Sequence, residues 1–222
     1  MSYVYGFDTV QTLNSACLGD AVRALSDLGA HLPFPSFCGR YITGDFGLAT
    51  DEIAFAAKVH LPILLIYNEI SPSMHVSYVK VHVDRIVRVI REHFGVFPRE
   101  GERLTVWADV EAGWPITPEW VVAWAQEMRA AGLYPGIYLA PYSYPGGKIN
   151  DVTHAILREG VLVWTAHWTS TSHLSAFNPA AYSAYAPSRI WQVLGNYRAG
   201  DHAFDIDMTD EDMRELGALM PW

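Results

Sequence analysis

Residues 104–113 read LTVWADVEAG, an apolar and β-branched run that ends in two acidic residues and a glycine. Short apolar runs that are bounded by turn-forming residues are typical of strands buried on both faces, as in parallel sheets. The stretch therefore predicts a buried strand, Leu104–Val110. It also places the carboxylates of Asp109 and Glu111 where that strand ends.

Similar runs recur along the whole chain, and helical patterns lie between most of them. The predicted strands are Val4–Thr9, Phe37–Ile42, Pro62–Asn68, Leu104–Val110, Tyr134–Leu139, Val161–Ala166, Arg189–Val193 and Ala203–Asp207. The predicted helices are Ser15–Leu28, Thr50–Val59, Met74–Phe94, Thr117–Ala131, Asn150–Arg158 and Asp210–Leu219. Capping signals support several of these boundaries, including Gly29 and Gly132 just after two helices.

Alternating strands and helices predict a parallel sheet built from βαβ units. Eight such strands in 222 residues favour an irregular α/β barrel of the (β/α)8 TIM type, forming a single domain over residues 1–222. The last two connections are too short for full helices, so the final strands are expected to pair differently. The alternative is an open doubly wound sheet, but no glycine-rich phosphate loop follows the first strand.

Acidic residues recur at the predicted strand ends. Asp8 ends the first strand, Asp109 and Glu111 end the fourth, and Asp205 and Asp207 end the eighth. In a parallel barrel the carboxyl ends of the strands form the active-site face. We therefore expect these side chains to meet at one mouth of the barrel.

The spacing of Asp109 and Glu111 points to acid–base chemistry. Residues two apart on a strand share a face at roughly 6.6 Å, and crowding raises the pKa of at least one carboxyl. A protonated carboxyl beside an ionised one is the requirement for cleaving a glycosidic bond. An Asp-x-Glu at a strand end can instead cap the next helix or pair with an arginine.

An ordered set of short motifs resembles the lysozyme-like family 25 glycoside hydrolases. The similarity is closest to the glycoside-hydrolase-like branch called domain of unknown function 1906. It covers nearly the whole chain. The motifs are YGFDT at 5–9, GRY at 39–41, PILLIY at 62–67, DVE at 109–111, GIY at 136–138, WTA at 164–166, IWQ at 190–192 and FDID at 204–207.

This resemblance implies a hydrolase that cuts the N-acetylmuramic acid to N-acetylglucosamine bond of peptidoglycan. By match, Glu111 would be the general acid and Asp109 would assist the substrate acetamido group, while Asp8 and Asp205 would shape the charge and position water. The expected substrate-binding residues are Tyr67, Tyr138, Arg40, Trp164, His167, Gln192 and Asp207. No metal and no organic cofactor are implied.

Two other functions stay open. One is a glycan-binding or structural barrel without turnover. The other is a metal-dependent phosphodiesterase or deacetylase, in which His167 would join Asp109 and Glu111 as a ligand. Against the metal site, the sequence has no His-x-His and no His-Glu-x-x-His motif.

Composition narrows the partners and the compartment. The formal net charge of −9 disfavours nucleic acid, which binds basic surfaces, and no apolar stretch is long enough to insert into a membrane. No signal peptide is recognisable, so we expect synthesis in the cytoplasm and action at the cell wall after lysis, delivery or non-classical export. Cys17 and Cys38 are expected to be two separate buried thiols.

Overall fold

A computed structural model describes residues 3–31, 34–70, 73–94, 98, 102–111, 113–139, 149–166, 174 and 188–222. Within these ranges eight strands close into one barrel in chain order. The strands are β1 Val4–Asp8, β2 Cys38–Tyr41, β3 Ile63–Tyr67, β4 Thr105–Val110, β5 Tyr134–Leu139, β6 Leu162–Ala166, β7 Ser188–Ala199 and β8 His202–Thr209. The predicted irregular β/α barrel is thereby confirmed.

The irregularity lies at the end of the chain, as predicted. Strands β1 to β7 pair in parallel, whereas β8 runs antiparallel to both β7 and β1. A parallel connection needs a long crossover, while an antiparallel one needs only a tight turn. The two-residue turn at Gly200 and Asp201 therefore replaces a helical crossover.

Helices cover the outside of the barrel between the earlier strands. They are α1 Ser15–Asp27, α2 Thr50–Val59, α3 Val79–Val89, α4 Pro118–Ala130 and α5 Ile149–Glu159. The side chain of Asn14 caps α1 by accepting hydrogen bonds from the N–H groups of Ala16 and Cys17 at 2.9 and 3.0 Å. None of the helices in the described ranges is long and apolar enough to cross a membrane.

Two helix predictions need correction. The predicted helix Met74–Phe94 is divided into a 3₁₀ turn at Val76–Tyr78, α3, and a π-helical turn at Ile90–Phe94. The predicted helix Asp210–Leu219 does not form. Its backbone bonds to strand starts instead: Thr105 N–H donates to the Gly217 carbonyl at 2.8 Å, and Leu219 pairs with Ile63. This segment closes the amino-terminal end of the barrel.

The barrel interior is packed with side chains. A β-carbon added to Gly39 would lie 2.6 Å from Asp8, 2.8 Å from Trp164 and 3.1 Å from Ile66. Side chains from β1, β6 and β3 meet in this way only inside the barrel. The buried apolar residues there are Phe37, Leu64, Ile66, Trp107, Trp164, Ile190, Met213, Leu216 and Ala218.

A larger apolar layer separates the strands from the helices. Cys17 and Cys38 belong to it as buried free thiols, which confirms that prediction. The sheet thus has two apolar faces, and a side chain's face decides whether it reaches the mouth of the barrel or the helix layer.

Candidate active site

Asp8 and Asp205 form the base of the site. They lie opposite each other in the pairing of β1 with β8. Gln192 on β7 donates from Nε2 to Asp8 Oδ2 at 2.8 Å and to Asp205 Oδ2 at 3.3 Å. The Tyr138 hydroxyl donates to Gln192 Oε1 at 2.9 Å, which fixes the orientation of the amide. The backbone N–H of Asn196 donates to Asp205 Oδ1 at 2.5 Å.

Asp207 lies below this pair, completely buried. Trp164 Nε1 donates to its Oδ1 at 3.0 Å. A side-chain hydrogen bond in which Asp207 donates to Asp8 raises the pKa of Asp207 and lowers that of Asp8. Burial is the largest cause that raises the pKa of both groups, followed for Asp207 by the charge of Asp8. One proton shared between Asp207 and Asp8 therefore suits this arrangement.

Asp109 and Glu111 stand at the mouth. Asp109 pairs with Tyr138 across β4 and β5 and is 6% exposed, whereas Glu111 follows the strand and is exposed. Burial first, and then the charge of Glu111, raise the pKa of Asp109 to about 7. The charge of Glu111 also raises the pKa of Asp205, after the larger effect of burial. The carboxylates of β4 and β8 thus act on one another across the mouth.

Tyr41 is a site residue that the sequence analysis missed. Its pKa is raised by burial and then by the charges of Asp8, Asp109, Glu111 and Asp205, so its hydroxyl lies within electrostatic range of all four carboxylates. A phenol kept protonated in this way is a hydrogen-bond donor to anions or to a sugar hydroxyl. Strand alternation was the available signal, because Tyr41 shares a face with Gly39, which pairs with Asp8.

Arg40 lies on the face of β2 opposite to Tyr41, so it points toward the helices and not into the barrel. This position corrects its prediction as a substrate-binding residue. It is 1% exposed and forms a buried ion pair with Glu52 of α2 at 3.0 Å. Its guanidinium also donates to the backbone carbonyls of Thr9 and Phe46. Glu52 belongs to α2 and the two carbonyls belong to the loops after β1 and β2, so Arg40 supports these loops from the helix side of the sheet.

Tyr67 is the second predicted substrate-binding residue that the structure places away from the mouth. It is 1% exposed, packs in the strand–helix layer, and shares a hydrogen bond of 3.0 Å with His82 Nδ1 of α3. Burial, followed by the charge of Glu69, raises its pKa to about 12. Its neighbour Ile66 is the residue of β3 that faces the barrel interior. Tyr67 therefore cannot reach a sugar at the mouth.

The barrel brings together most of the other predicted residues. Those that meet at or beneath the mouth are Asp8, Asp109, Glu111, Tyr138, Trp164, Gln192, Asp205 and Asp207. Trp164 and Asp207 are wholly buried, so they support the site from below and do not contact a substrate. His167 lies outside the described residues. In the described ranges, no three His, Cys, Asp or Glu side chains are grouped to hold a metal ion.

Fold and site together define a closed α/β barrel with a carboxylate-lined mouth, and solved structures share the fold. An uncharacterized protein of B. stearothermophilus aligns with a TM-score of 0.77 at 20% identity, covering 97% of this chain and 100% of that one. The spore cortex lytic enzyme SleM of Clostridium perfringens aligns with a TM-score of 0.56 at 11% identity, over 93% and 67%.

The catalytic domain of endolysin ply40, from bacteriophage P40 of Listeria monocytogenes, aligns with a TM-score of 0.57 at 12% identity, over 97% of each chain. At such identities the likeness establishes the barrel and not the activity. No protein-family model and no curated protein sequence matches this chain.

Proposed function

We propose that this protein is a glycoside hydrolase that acts on bacterial cell-wall glycan, cleaving the bond between N-acetylmuramic acid and N-acetylglucosamine. One observation carries the proposal: the buried Asp109 carboxyl, with its pKa raised to about 7, lies within the electrostatic reach of the exposed Glu111 at the mouth. Near neutral pH the Asp109 carboxyl therefore exists in both protonated and ionised forms beside a second carboxyl group, and glycosidic cleavage needs one group that donates a proton and one that carries negative charge.

Glu111 is assigned as the general acid because it is exposed, so it can reach the oxygen of a bound glycosidic linkage. Asp109 lies deeper in the site, and its assigned role is to stabilise the acetamido group of the sugar during the reaction. An amide N–H of the substrate beside Asp109 favours the ionised form of Asp109, and Glu111 is the group proposed to donate to the leaving oxygen.

In the proposed reaction, Glu111 donates its proton to the leaving oxygen as the bond to the anomeric carbon breaks. The acetamido oxygen bonds to that carbon while Asp109 stabilises the positive charge on the acetamido nitrogen. Water then adds at the anomeric carbon, its proton returns to Glu111, and the acetamido group is released. Asp8 and Asp205, held by Gln192, supply negative potential beneath the oxocarbenium-like centre.

Two of the structural neighbours support a wall substrate, since one is named a spore cortex lytic enzyme and one an endolysin. The overall acidity of the chain also fits a neutral sugar backbone better than an anionic polymer.

The test is digestion of purified peptidoglycan by the wild type, by Glu111→Gln and by Asp84→Asn, with and without a chelator. Asp84 is an exposed carboxylate on α3 that pairs with Lys80, far from the mouth, and serves as the matched control. New muramic acid reducing ends in mass spectra, lost only in Glu111→Gln, are the expected result. Full activity of Glu111→Gln would refute the assignment of the acid. Loss of release with the chelator would favour a metal-dependent hydrolase, and binding without release a glycan-binding module.

A further inference from the structure

The loops after β1 and β2 form one rigid edge of the mouth. The guanidinium of Arg40 donates to the Thr9 carbonyl and, at 3.3 Å, to the Phe46 carbonyl. Since one guanidinium spans only a few ångströms, the two loops must run side by side there. Both follow the carboxyl ends of their strands, so both lie at the carboxylate-lined end of the barrel.

Glu52 completes this support from below. Its carboxylate accepts hydrogen bonds from the backbone N–H of Leu13 at 2.6 Å and of Ala49 at 2.9 Å, one in each loop, and it is 2% exposed. A buried, bidentate arginine–carboxylate pair is geometrically restrictive. The buried pair thus holds two points in each loop relative to each other.

The tip of the second loop is a tight turn over residues 44–47. The N–H of Gly47 donates to the Gly44 carbonyl at 3.1 Å, and Gly44 takes φ +75°, a conformation that favours glycine. The N–H of Leu48 donates back to the Tyr41 carbonyl at 2.7 Å. The loop is therefore bonded, directly after its tip, to Tyr41, whose hydroxyl lies within electrostatic range of the four carboxylates.

This fixed edge exposes two large apolar side chains. Phe46 is 49% exposed and Val10 is 44% exposed. A single exposed apolar residue is ordinary on a protein surface. Phe46 and Val10 instead lie on neighbouring segments that one buried ion pair holds beside a strongly polar mouth.

We infer that Phe46, flanked by Val10, is a platform for a pyranose ring of the glycan strand, next to the sugar held over the carboxylates. The inference rests on the proposed function and names a binding residue for it. Axial C–H groups give a sugar ring an apolar face, and a flat aromatic ring matches it without needing a charge. A preorganised platform also avoids the entropy cost of ordering a loop on binding.

The experiment compares Phe46→Ala with Phe34→Ala. Phe34 is the ideal control, because it is also 49% exposed and precedes the same strand at the opposite end of the barrel. Each substitution is placed in the Glu111→Gln background, and binding of a soluble N-acetylglucosamine hexamer is followed by calorimetry. The same substitutions in the wild-type background give KM and kcat on solubilised glycan strands.

Phe46→Ala is expected to weaken binding roughly 3- to 10-fold and to raise KM in step, the size of one aromatic contact. Phe34→Ala is expected to change neither, and Phe46→Tyr is expected to restore binding. Equal binding by Phe46→Ala and its parent, equal losses in both variants, or no binding of the hexamer by any variant would overturn the inference. Binding that depends on Phe46 without any cleavage would retain the platform and remove the proposed hydrolysis.

Discussion

Asp8 and Asp205 are direct cross-strand neighbours, and a single side-chain amide, that of Gln192, donates to both carboxylates. Like charges directly opposite each other destabilise a sheet, and here burial is the largest cause that raises the pKa of both groups. This destabilising repulsion lies at the mouth of the barrel, where the negative potential favours the chemistry we propose. Gln192 reduces this repulsion through its two hydrogen bonds.

Gln192→Glu should therefore make the stability of the protein strongly dependent on pH. The variant replaces a donor with a carboxyl in hydrogen-bond contact with Asp8, so the new group must keep a proton in the folded state. Its pKa is raised on folding, and the stability it allows at low pH is lost as pH rises through that value. We expect a loss of about 1–3 kcal/mol at pH 8, measured as thermal melting between pH 5 and 8.

Gln126→Glu is the control for this prediction, because Gln126 is exposed on α4 and gains the same charge on the surface. Parallel melting profiles for the two variants would show that Gln192 does not limit the repulsion between Asp8 and Asp205.

Asp109→Asn should stabilise the protein at neutral and alkaline pH while reducing cleavage. The pKa of Asp109 rises from 3.8 to about 7 on folding, so the folded state holds a proton that the unfolded chain has already lost. The contribution of this carboxyl to the free energy of unfolding is therefore fully present below pH 4 and is lost as pH rises to 7 and beyond. The loss is about 4 kcal/mol at most. Asparagine does not ionise, so it does not cause this loss of stability as pH rises. Urea unfolding at pH 5 and pH 8 measures the difference, and an unchanged pH slope in the variant would contradict it.

The architecture could be predicted from the sequence because each strand is a compact apolar run between turn residues. The fourth strand was expected at Leu104–Val110 and lies at Thr105–Val110. The seventh was expected to end at Val193 but continues to Ala199. Its second half pairs with β8 beyond the barrel and is largely solvent-accessible, so it carries no continuous apolar signal.

The site could be predicted only in part, and strand faces explain the difference. Asp8 and Asp109 were found because both lie near the ends of parallel strands, which a parallel barrel brings together. Asp205 was expected to end a parallel eighth strand, whereas β8 runs antiparallel and carries Asp205 in its first half, opposite Asp8. Arg40 and Tyr67 were misplaced because β2 and β3 are buried on both faces, so hydrophobicity does not reveal which face is inside. The side chains that surround Gly39 in the structure show which residues of β2 face the barrel interior and which face the helices.

Arg40→Leu should destabilise the barrel by about 3–5 kcal/mol, since it leaves Glu52 buried and uncompensated. For a chain of this size that corresponds to a fall in Tm of roughly 6–20 °C. Lys80→Met is the control, because its ion pair with Asp84 is about 60% exposed on both sides and should contribute at most about 1 kcal/mol. Chemical denaturation of both variants gives the comparison, and equal losses would refute the supporting role of Arg40.

Gly39→Ala and Gly19→Ala should change stability in opposite directions. A β-carbon at Gly39 would lie 2.6 Å from Asp8 and 2.8 Å from Trp164, closer than real contacts allow, so both the packing and the position of the carboxylate must shift. We expect a loss of about 1–3 kcal/mol together with a marked fall in glycan cleavage. At Gly19, inside α1, the added carbon meets nothing within 4 Å.

Alanine at position 19 should therefore stabilise the protein by about 0.5–1 kcal/mol through helix propensity alone, with cleavage unchanged. Urea unfolding and peptidoglycan digestion of both variants provide the test. Because the two substitutions add the same methyl group, their difference measures how closely the strand carrying Tyr41 packs beneath the carboxylates. A Gly39→Ala protein with wild-type stability and activity would show that Asp8 has room to move, and would weaken the case for a preorganised acidic site.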